Sequence, residues 1–429
     1  MSDSEHELAR RSLLRAALAG VAMGASPLAL AQPAPKRGGR LTIGADADPI
    51  GFDATTLSAY SSYDFTSLLY TGLLRWSAEM KPEPDLATGF EQPNDTTYVF
   101  HLRSGVKFHN GQAFEAGDVK YTFDRILNPA TASPSATLFS TIKAVTAVDP
   151  ATVRFELSAP NAAFLSYLAT NPNGVIVPRG VDGLNTKPVG TGPFMFSSYE
   201  PNQQCTLKAN SDYYEKGQPY LDEVVFRFFK DQSSITSALR SKAIDMTWFK
   251  DPKVSAQIVR TSPGLVSVPG KTTRTFPVWF NMKAKPLNDV RVRRALSLAT
   301  DRQACLETVL GGSGKVAAMI PESHVGGYDG VGEMPYYKTD VAGAKQLLAE
   351  AGYPDGLDLG DYIVVAANPL DVSCSQILQQ QWADAGIKVA LKPMETAPLI
   401  AMWLKGEFPT LLSVALSWSP DPDAIVTFM

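Results

Sequence analysis

The sequence predicts a mixed α/β protein with several lobes. Three observations carry this expectation. Short alternating strands interleave with amphipathic helices along the whole chain. The 429 residues exceed what one hydrophobic core usually serves. Finally, 45% of the residues are hydrophobic, enough to fill more than one core.

The elements follow in order. Leu41-Thr42-Ile43 opens a strand, and Thr97–Leu102 alternates so that Tyr98, Phe100 and Leu102 share one face. Asp118 is placed to cap a helix whose Val119, Phe123, Ile126 and Leu127 form one stripe, stopped by Asn128-Pro129. Val153, Phe155 and Leu157 read as a strand. Val224–Phe229 reads as a buried one, broken by Arg227. Past Pro286 come three helical stripes: Val292/Ala295/Leu296/Ala299, Ala344/Leu347/Leu348/Ala351 and Ile377/Leu378/Trp382/Ala385. Gly352 and Gly386 stop the last two, and Ile387–Leu391 then alternates as a strand, completing an αβ unit.

The amino terminus carries Arg10-Arg11 ahead of an uncharged Ala-, Leu- and Val-rich stretch that ends Ala29-Leu30-Ala31. This is the pattern of a twin-arginine signal peptide over residues 1–31, with an A-x-A cleavage site and a flexible linker at 32–37. Residues 16–31 are shorter than the roughly 20 that a spanning helix needs, and Gly20, Gly24 and Pro27 weaken them further. The expected location is therefore periplasmic. A net charge of −4 gives no footprint for nucleic acid or an anionic membrane surface. Three widely spaced cysteines, Cys205, Cys305 and Cys374, leave room for one disulfide. The helical, apolar-flanked position of Cys305 points instead to buried free thiols.

Catalytic patterns fail on inspection. Gly311-Gly312-Ser313-Gly314-Lys315 imitates a phosphate loop, but the earlier glycine position is Val309 and the residue after the lysine is Val316. Ser140-Thr141-Ile142-Lys143 matches S-x-x-K without its companion motifs. His101, His109 and Asp118 fit no zinc spacing. No nucleophile, base and orienting group cluster in sequence, so neither an enzyme, a metal nor a cofactor is expected.

Residues 98–111, YVFHLRSGVKFHNG, with the following QAFEAGDVKYTFDRIL, resemble the extracytoplasmic solute-binding proteins of family 5, which deliver peptides, nickel chelates and related ligands to ABC importers. The resemblance continues through Pro84-Asp85-Leu86-Ala87, Pro188–Phe194, Asn210 with Tyr213-Tyr214, Asp289–Leu296, Ala299–Arg302 and Leu347–Gly356, covering about residues 38–429. Three of these blocks have a plain physical reading. Gly190-Thr191-Gly192-Pro193 is a tight turn whose glycines tolerate positive φ, and Asp289 and Asp301 place acids at helix starts.

The resemblance implies a two-lobed periplasmic-binding fold, type II and cluster C-like, with an extra domain on the first lobe. Residues 38–78 and 175–275 would form that lobe, 79–174 the extra domain and 276–429 the second lobe. It further implies a monomer that captures a small ligand, most simply a peptide, by lobe closure and hands it to ABC permease subunits. The alternatives are a carrier for a metal chelate, opine or sugar, or an exported hydrolase. Ligand contacts are implied at Tyr60 and Tyr63 after Asp53, at Trp279-Phe280-Asn281, and at Trp418, Asp421 and Asp423. Peptide-binding relatives carry an additional acidic residue between the tryptophan and the Asp-Pro-Asp, as partner for the ligand's amino group. Here only Asp421-Pro422-Asp423 is present.

Family members also run on past this region to complete the first lobe. The stop at Val426–Met429 is read as a truncated reading frame, with first-lobe apolar surface expected to be left uncovered.

Overall fold

The computed structural model describes residues 35–57, 60–268, 270, 273–322, 324, 327–417, 421–423 and 425. The signal-peptide expectation for residues 1–31, the ligand contact expected at Trp418 and the apolar run 426–429 lie outside them.

Three larger sheets follow one another in space and largely in sequence. The first has the order Met246–Thr247, Arg40–Ala45, Glu223–Phe228, Gln204–Ala209, Phe194–Glu200. Its first three strands are parallel and its last three antiparallel. Ile43, Val224, Phe226, Cys205 and Leu207 bury one face against Phe65 and Leu69 of helix Tyr60–Leu69. The period-2 pattern dictates this: Arg227 points outward from the strand that Val224 and Phe226 anchor.

The second sheet, Ala87–Asn94, Thr97–Leu102, Thr152–Leu157, Ile142–Asp149, is antiparallel throughout. Tyr98, Phe100 and Leu102 point into its core, as their alternation predicts, against Val119, Phe123 and Ile126 of helix Ala116–Leu127. Phe123 meets Phe139 and Phe155 edge to face, each pair 5.0 Å apart between ring centres. Such pairs add about 1 kcal/mol each beyond the burial of the rings. Asp118 does not cap this helix from outside. Glu115 is the N-cap residue and Asp118 sits in the first turn, accepting from the Glu115 N–H at 2.9 Å and the Arg179 N–H at 3.0 Å. A carboxylate there still meets the positive helix end.

The third sheet has the order Val278–Phe280, Leu411–Ser413, Leu357–Val365, Ile387–Met394. Its central strand buries Tyr362 and Val364 on one face and Ile363 and Val365 on the other, which explains a run with no polar alternation. Helices Val290–Leu298, Arg302–Leu310, Val341–Glu350 and Pro369–Asp384 cover the first face with the stripes read from sequence. Asp289 and Asp301 cap two of them, accepting from Arg291 N at 2.8 Å and Ala304 N at 2.9 Å. The three cysteines are free thiols, and Cys205 and Cys305 are buried.

Two further features join these bodies. Arg274–Thr275 pairs antiparallel with Leu416–Ser417, so the chain's passage into the third-sheet region and its passage out of it lie side by side. Lys253, in helix Pro252–Thr261, donates from Nζ to the Thr308 carbonyl at 3.0 Å.

Candidate functional site

The antiparallel-sheet domain is fastened to the first sheet's body at three places, each built from residues that the motifs brought forward. Arg125 donates to both oxygens of Asp53, and Asp53 also accepts from the Thr55 N–H at 3.1 Å and hydroxyl at 2.8 Å. Burial raises the Asp53 pKa, but the Arg125 and Thr55 hydrogen bonds outweigh it and hold the carboxyl below its ordinary value. His109 accepts from the Gly190 N–H at 3.2 Å through Nδ1, and its Nε2 lies 3.1 Å from the Gly192 carbonyl. Burial lowers its pKa to about 4, so it is neutral at physiological pH. Tyr214 donates to Asp85, while Arg103 lies 5.1 Å from the Tyr214 ring centre. Pro84–Ala87 and Tyr213-Tyr214 are therefore two halves of one contact.

The Gly190–Pro193 turn takes a different form from the one its sequence suggested. Neither glycine has positive φ. A Cβ on Gly190 would lie 2.0 Å from the Leu69 carbonyl, and one on Gly192 2.4 Å from that of Leu68. Close backbone approach to the end of helix Tyr60–Leu69 is what requires glycine here.

On that base stands a grouping around the short helix Phe164–Ala169. Phe164, Tyr167 and Leu168 are buried in the antiparallel-sheet core, and the Ser166 and Tyr167 hydroxyls reach a neighbour. That neighbour is the Asp421–Asp423 segment. Ser166 Oγ donates to Asp421 Oδ2 at 2.6 Å, and the Tyr167 hydroxyl donates to Asp423 Oδ2. Asp421 also accepts the Asp423 N–H at 3.0 Å, which shapes the turn. At the far end of the same helix, Asn171 accepts from Thr66 Oγ1 at 2.8 Å, tying in the helix that carries Tyr60 and Tyr63. Helix Phe164–Ala169 and the residues just after it are thus bonded both to the Asp421–Asp423 segment and to helix Tyr60–Leu69. His324, buried at 5% exposure, joins them electrostatically: burial lowers its pKa and the Asp421 carboxylate opposes that shift.

At the carboxyl ends of parallel strands Arg40–Ala45 and Glu223–Phe228, an open groove of about 430 Å³ is bounded by Asp46, Asp48, Tyr199 and Lys230. Open sheets with parallel strands place ligands at such strand ends. Asp46 pairs with Lys250 at 2.5 Å.

The strand Val278–Phe280 is engaged differently. Phe280 and Val278 pack on the core beneath helices Val290–Leu298 and Pro369–Asp384, whereas Trp279 turns to the opposite face and meets Trp403 at 5.0 Å between ring centres. Asn281 has both ends of its amide engaged: Nδ2 donates to the Phe408 carbonyl at 2.6 Å and Oδ1 accepts from the Lys283 N–H at 3.1 Å. The structure gives these three side chains packing and turn-forming contacts and does not bring them to the Asp421–Asp423 grouping. Ser166, Tyr167 and His324 went unremarked in sequence. Their partners stand up to 256 residues away, and no local periodicity signals that.

Among the described residues, no cluster of three or more His, Cys, Asp or Glu side chains is placed to hold a metal ion, and no helix is long and apolar enough to cross a membrane. His101, half exposed, pairs with Glu91 at 3.3 Å on the rim of the antiparallel sheet, away from His109.

Known proteins share this architecture. The chain is 30% identical to di/tripeptide-binding protein 2 of Pseudomonas aeruginosa, over 97% of this chain and 82% of that protein. It is likewise 30% identical to heme-binding protein A of Haemophilus influenzae, over 87% and 73% of the two chains. Among solved structures it is similar to the ABC transporter substrate-binding protein CtaP of Listeria monocytogenes, with a TM-score of 0.81 and 26% identity over 92% of this chain and 82% of that one. The fold is the two-lobed periplasmic-binding type with an extra domain on the first lobe. Residues 81–429 match the family model described as bacterial extracellular solute-binding proteins, family 5 Middle, and the chain belongs to that family.

Proposed function

We propose that this protein is the capture component of an ABC importer: an exported, monomeric carrier that closes its lobes on a peptide or similar small ligand and presents the closed form to membrane permease subunits. Residues 38–78 and 175–275 serve as the first lobe, 79–174 as the extra domain and 276–429 as the second lobe. The paired strands Arg274–Thr275 and Leu416–Ser417 suit a hinge, because few-residue crossovers side by side can absorb a rotation without disturbing either core.

The observation that carries the reading is the bond pair from Ser166 and Tyr167 to Asp421 and Asp423, which joins the extra domain to the end of the second lobe. A carrier needs such a contact, made in one lobe arrangement and broken in another. We assign Tyr60, Tyr63 and Trp418 to the ligand pocket, as the family resemblance implies. Aromatic walls suit a permissive pocket because they bury much area with little loss of rotamer freedom. Trp279, Phe280 and Asn281 support the second-lobe wall through their packing. The family consists of binding proteins, and we assign no reaction to this member. Export through the twin-arginine route follows from Arg10-Arg11 and Ala29-Leu30-Ala31.

A second reading, a non-peptide ligand, is favoured by one feature: both acids of the Asp421-Pro422-Asp423 turn are engaged by hydroxyl donors, which reduces what is left for a ligand ammonium. A thermal-shift screen of the exported protein against di- to hexapeptides, metal chelates, opines and oligosaccharides separates the readings. A ligand at 100 times its dissociation constant adds about 2.7 kcal/mol to stability. A shift with peptides alone supports the first reading and a shift with another class alone the second. Chemical conversion of the added compound would overturn the carrier assignment.

A further inference from the structure

Two of the three thiols meet. Cys305 stands in the first turn of helix Arg302–Leu310 and Cys374 in helix Pro369–Asp384, and both pack into the core beneath the third sheet, close enough for each thiol to shift the other's pKa. This contact is held from both sides. Asp301, the N-cap of the first helix, donates its N–H to Gln381 Oε1 at 3.0 Å and accepts from Gln381 Nε2 at 3.2 Å. Trp382 Nε1 donates to Thr300 Oγ1 at 3.0 Å. Cys374, Leu378, Gln381 and Trp382 fall at i, i+4, i+7 and i+8, so one face of the longer helix makes all of these contacts. The packing that brings the thiols together is thus specified by four other groups and does not depend on the cysteines themselves. Cys205 lies buried in the first sheet, in a different core, and has no part in this.

We propose that Cys305 and Cys374 form an intramolecular disulfide once the chain meets an exported disulfide oxidant, closing the 305–374 segment of the second lobe and leaving Cys205 as a free thiol. The assignment draws on the export reading for its setting and on the side-chain contact for its chemistry. The oxidant is a protein or glutathione disulfide. The Cys305 thiolate attacks one sulfur of that disulfide, forming a mixed disulfide and releasing one thiolate. Cys374 then loses its proton and attacks the Cys305 sulfur, expelling the second thiolate, so two thiols are oxidised and one disulfide is reduced to two thiols. Cys305 suits the role of first nucleophile: Cys374 lowers its pKa, and Arg302 and Gln381 act in the same sense against burial and the Asp301 carboxylate.

The test counts thiols. Protein purified reduced from the cytoplasm, without its signal, is denatured and alkylated before and after incubation with oxidised glutathione, then mapped by peptide mass spectrometry without reductant. The expected result is three alkylated cysteines before oxidation and one after, Cys205, with a single linked peptide pair containing Cys305 and Cys374 and a melting temperature several degrees higher. The same pair is expected in protein taken directly from the periplasm. If oxidation instead yields intermolecular dimers, a Cys205 linkage or stable glutathione adducts, the pairing is wrong. Linkage in the glutathione reaction with three free thiols in the cellular protein would uphold the geometry and remove the export reading. Cys305→Ser and Cys374→Ser, which leave the helix contacts through Gln381 and Trp382 in place, should each abolish the linked peptide and the gain in melting temperature. A gain that survives either substitution overturns the proposal.

Discussion

Arg125 reaches the Asp53 carboxylate with both terminal nitrogens, Nη1 to Oδ1 at 2.9 Å and Nη2 to Oδ2 at 2.5 Å, across 72 residues of chain. Side-chain exposure is 6% for Asp53 and 25% for Arg125, so the pair is well removed from water. The exposed pair Lys107–Asp212, which joins the same two regions, is worth under about 1 kcal/mol by comparison.

Arg125→Met is therefore expected to destabilise the protein by about 3 kcal/mol, because Asp53 would remain buried without its counter-charge. Asp53→Asn in the same background should restore part of that loss. Denaturant titrations of the two single variants and the double measure the coupling, and strictly additive effects would show that the pair does not act as a unit. The pH sign follows from the lowered Asp53 pKa: the stabilisation is present above the unfolded value of about 3.9 and is lost as pH falls through the folded value.

His109 gives a second acid-sensitive contact in a different window. Its folded pKa, about 4, lies below the ordinary 6.5, so the unfolded chain binds more protons between those values and stability falls as pH drops from 6.5 towards 4. Replacement by glutamine, which keeps a donor and an acceptor beside Gly190 and Gly192, should flatten that slope and so remove about 3 kcal/mol of acid-induced loss across the window. Urea unfolding at a series of pH values reads it directly. An unchanged slope would assign the acid sensitivity to the carboxylates.

Gly190→Ala and Gly192→Ala should each cost about 3 kcal/mol or more, since the new methyl meets a main-chain carbonyl and no side chain can yield. Gly89→Ala is the control, because a Cβ there has nothing within 4 Å. Equal melting temperatures for the three would mean that the loop moves freely off the end of helix Tyr60–Leu69.

How much of this was legible in the sequence depends on distance along the chain. The faces of Thr97–Leu102 and of the three second-lobe helices could be read because burial repeats at period 2 or 3.6 within a single element. The Asp118 position was read one turn early, since an acid in the first turn and an acid at the N-cap leave the same local trace. The glycine turn was found for the wrong reason: its sequence announces freedom in φ, and only the fold reveals the carbonyls of Leu68 and Leu69 pressed against it. Nothing local links Ser166 and Tyr167 to Asp421 and Asp423, because those contacts exist only once separate bodies have docked. Asn281 was legible as a polar residue beside an apolar strand, but whether such a residue faces a ligand or caps a turn is decided by Phe408 and Lys283.

The Tyr167 and Asp423 contact leads to the last prediction. Tyr167 is buried in the antiparallel-sheet core while its hydroxyl donates to Asp423, and burial followed by the Asp423 bond raises its pKa. Tyr167→Phe keeps the ring in its core and removes only the donor, so the loss in unliganded stability should be modest, about 1–2 kcal/mol. If the contact holds the lobes in one arrangement, small-angle scattering of the unliganded variant should show a larger radius of gyration than the parent, and ligand affinity should change in step. Trp418→Ala makes the complementary case: affinity for a screened ligand falls while the unliganded melting temperature hardly moves. A Tyr167→Phe protein with unaltered scattering and affinity would make the bond an ordinary surface contact. The closure model would then have to rest on the paired strands Arg274–Thr275 and Leu416–Ser417 alone.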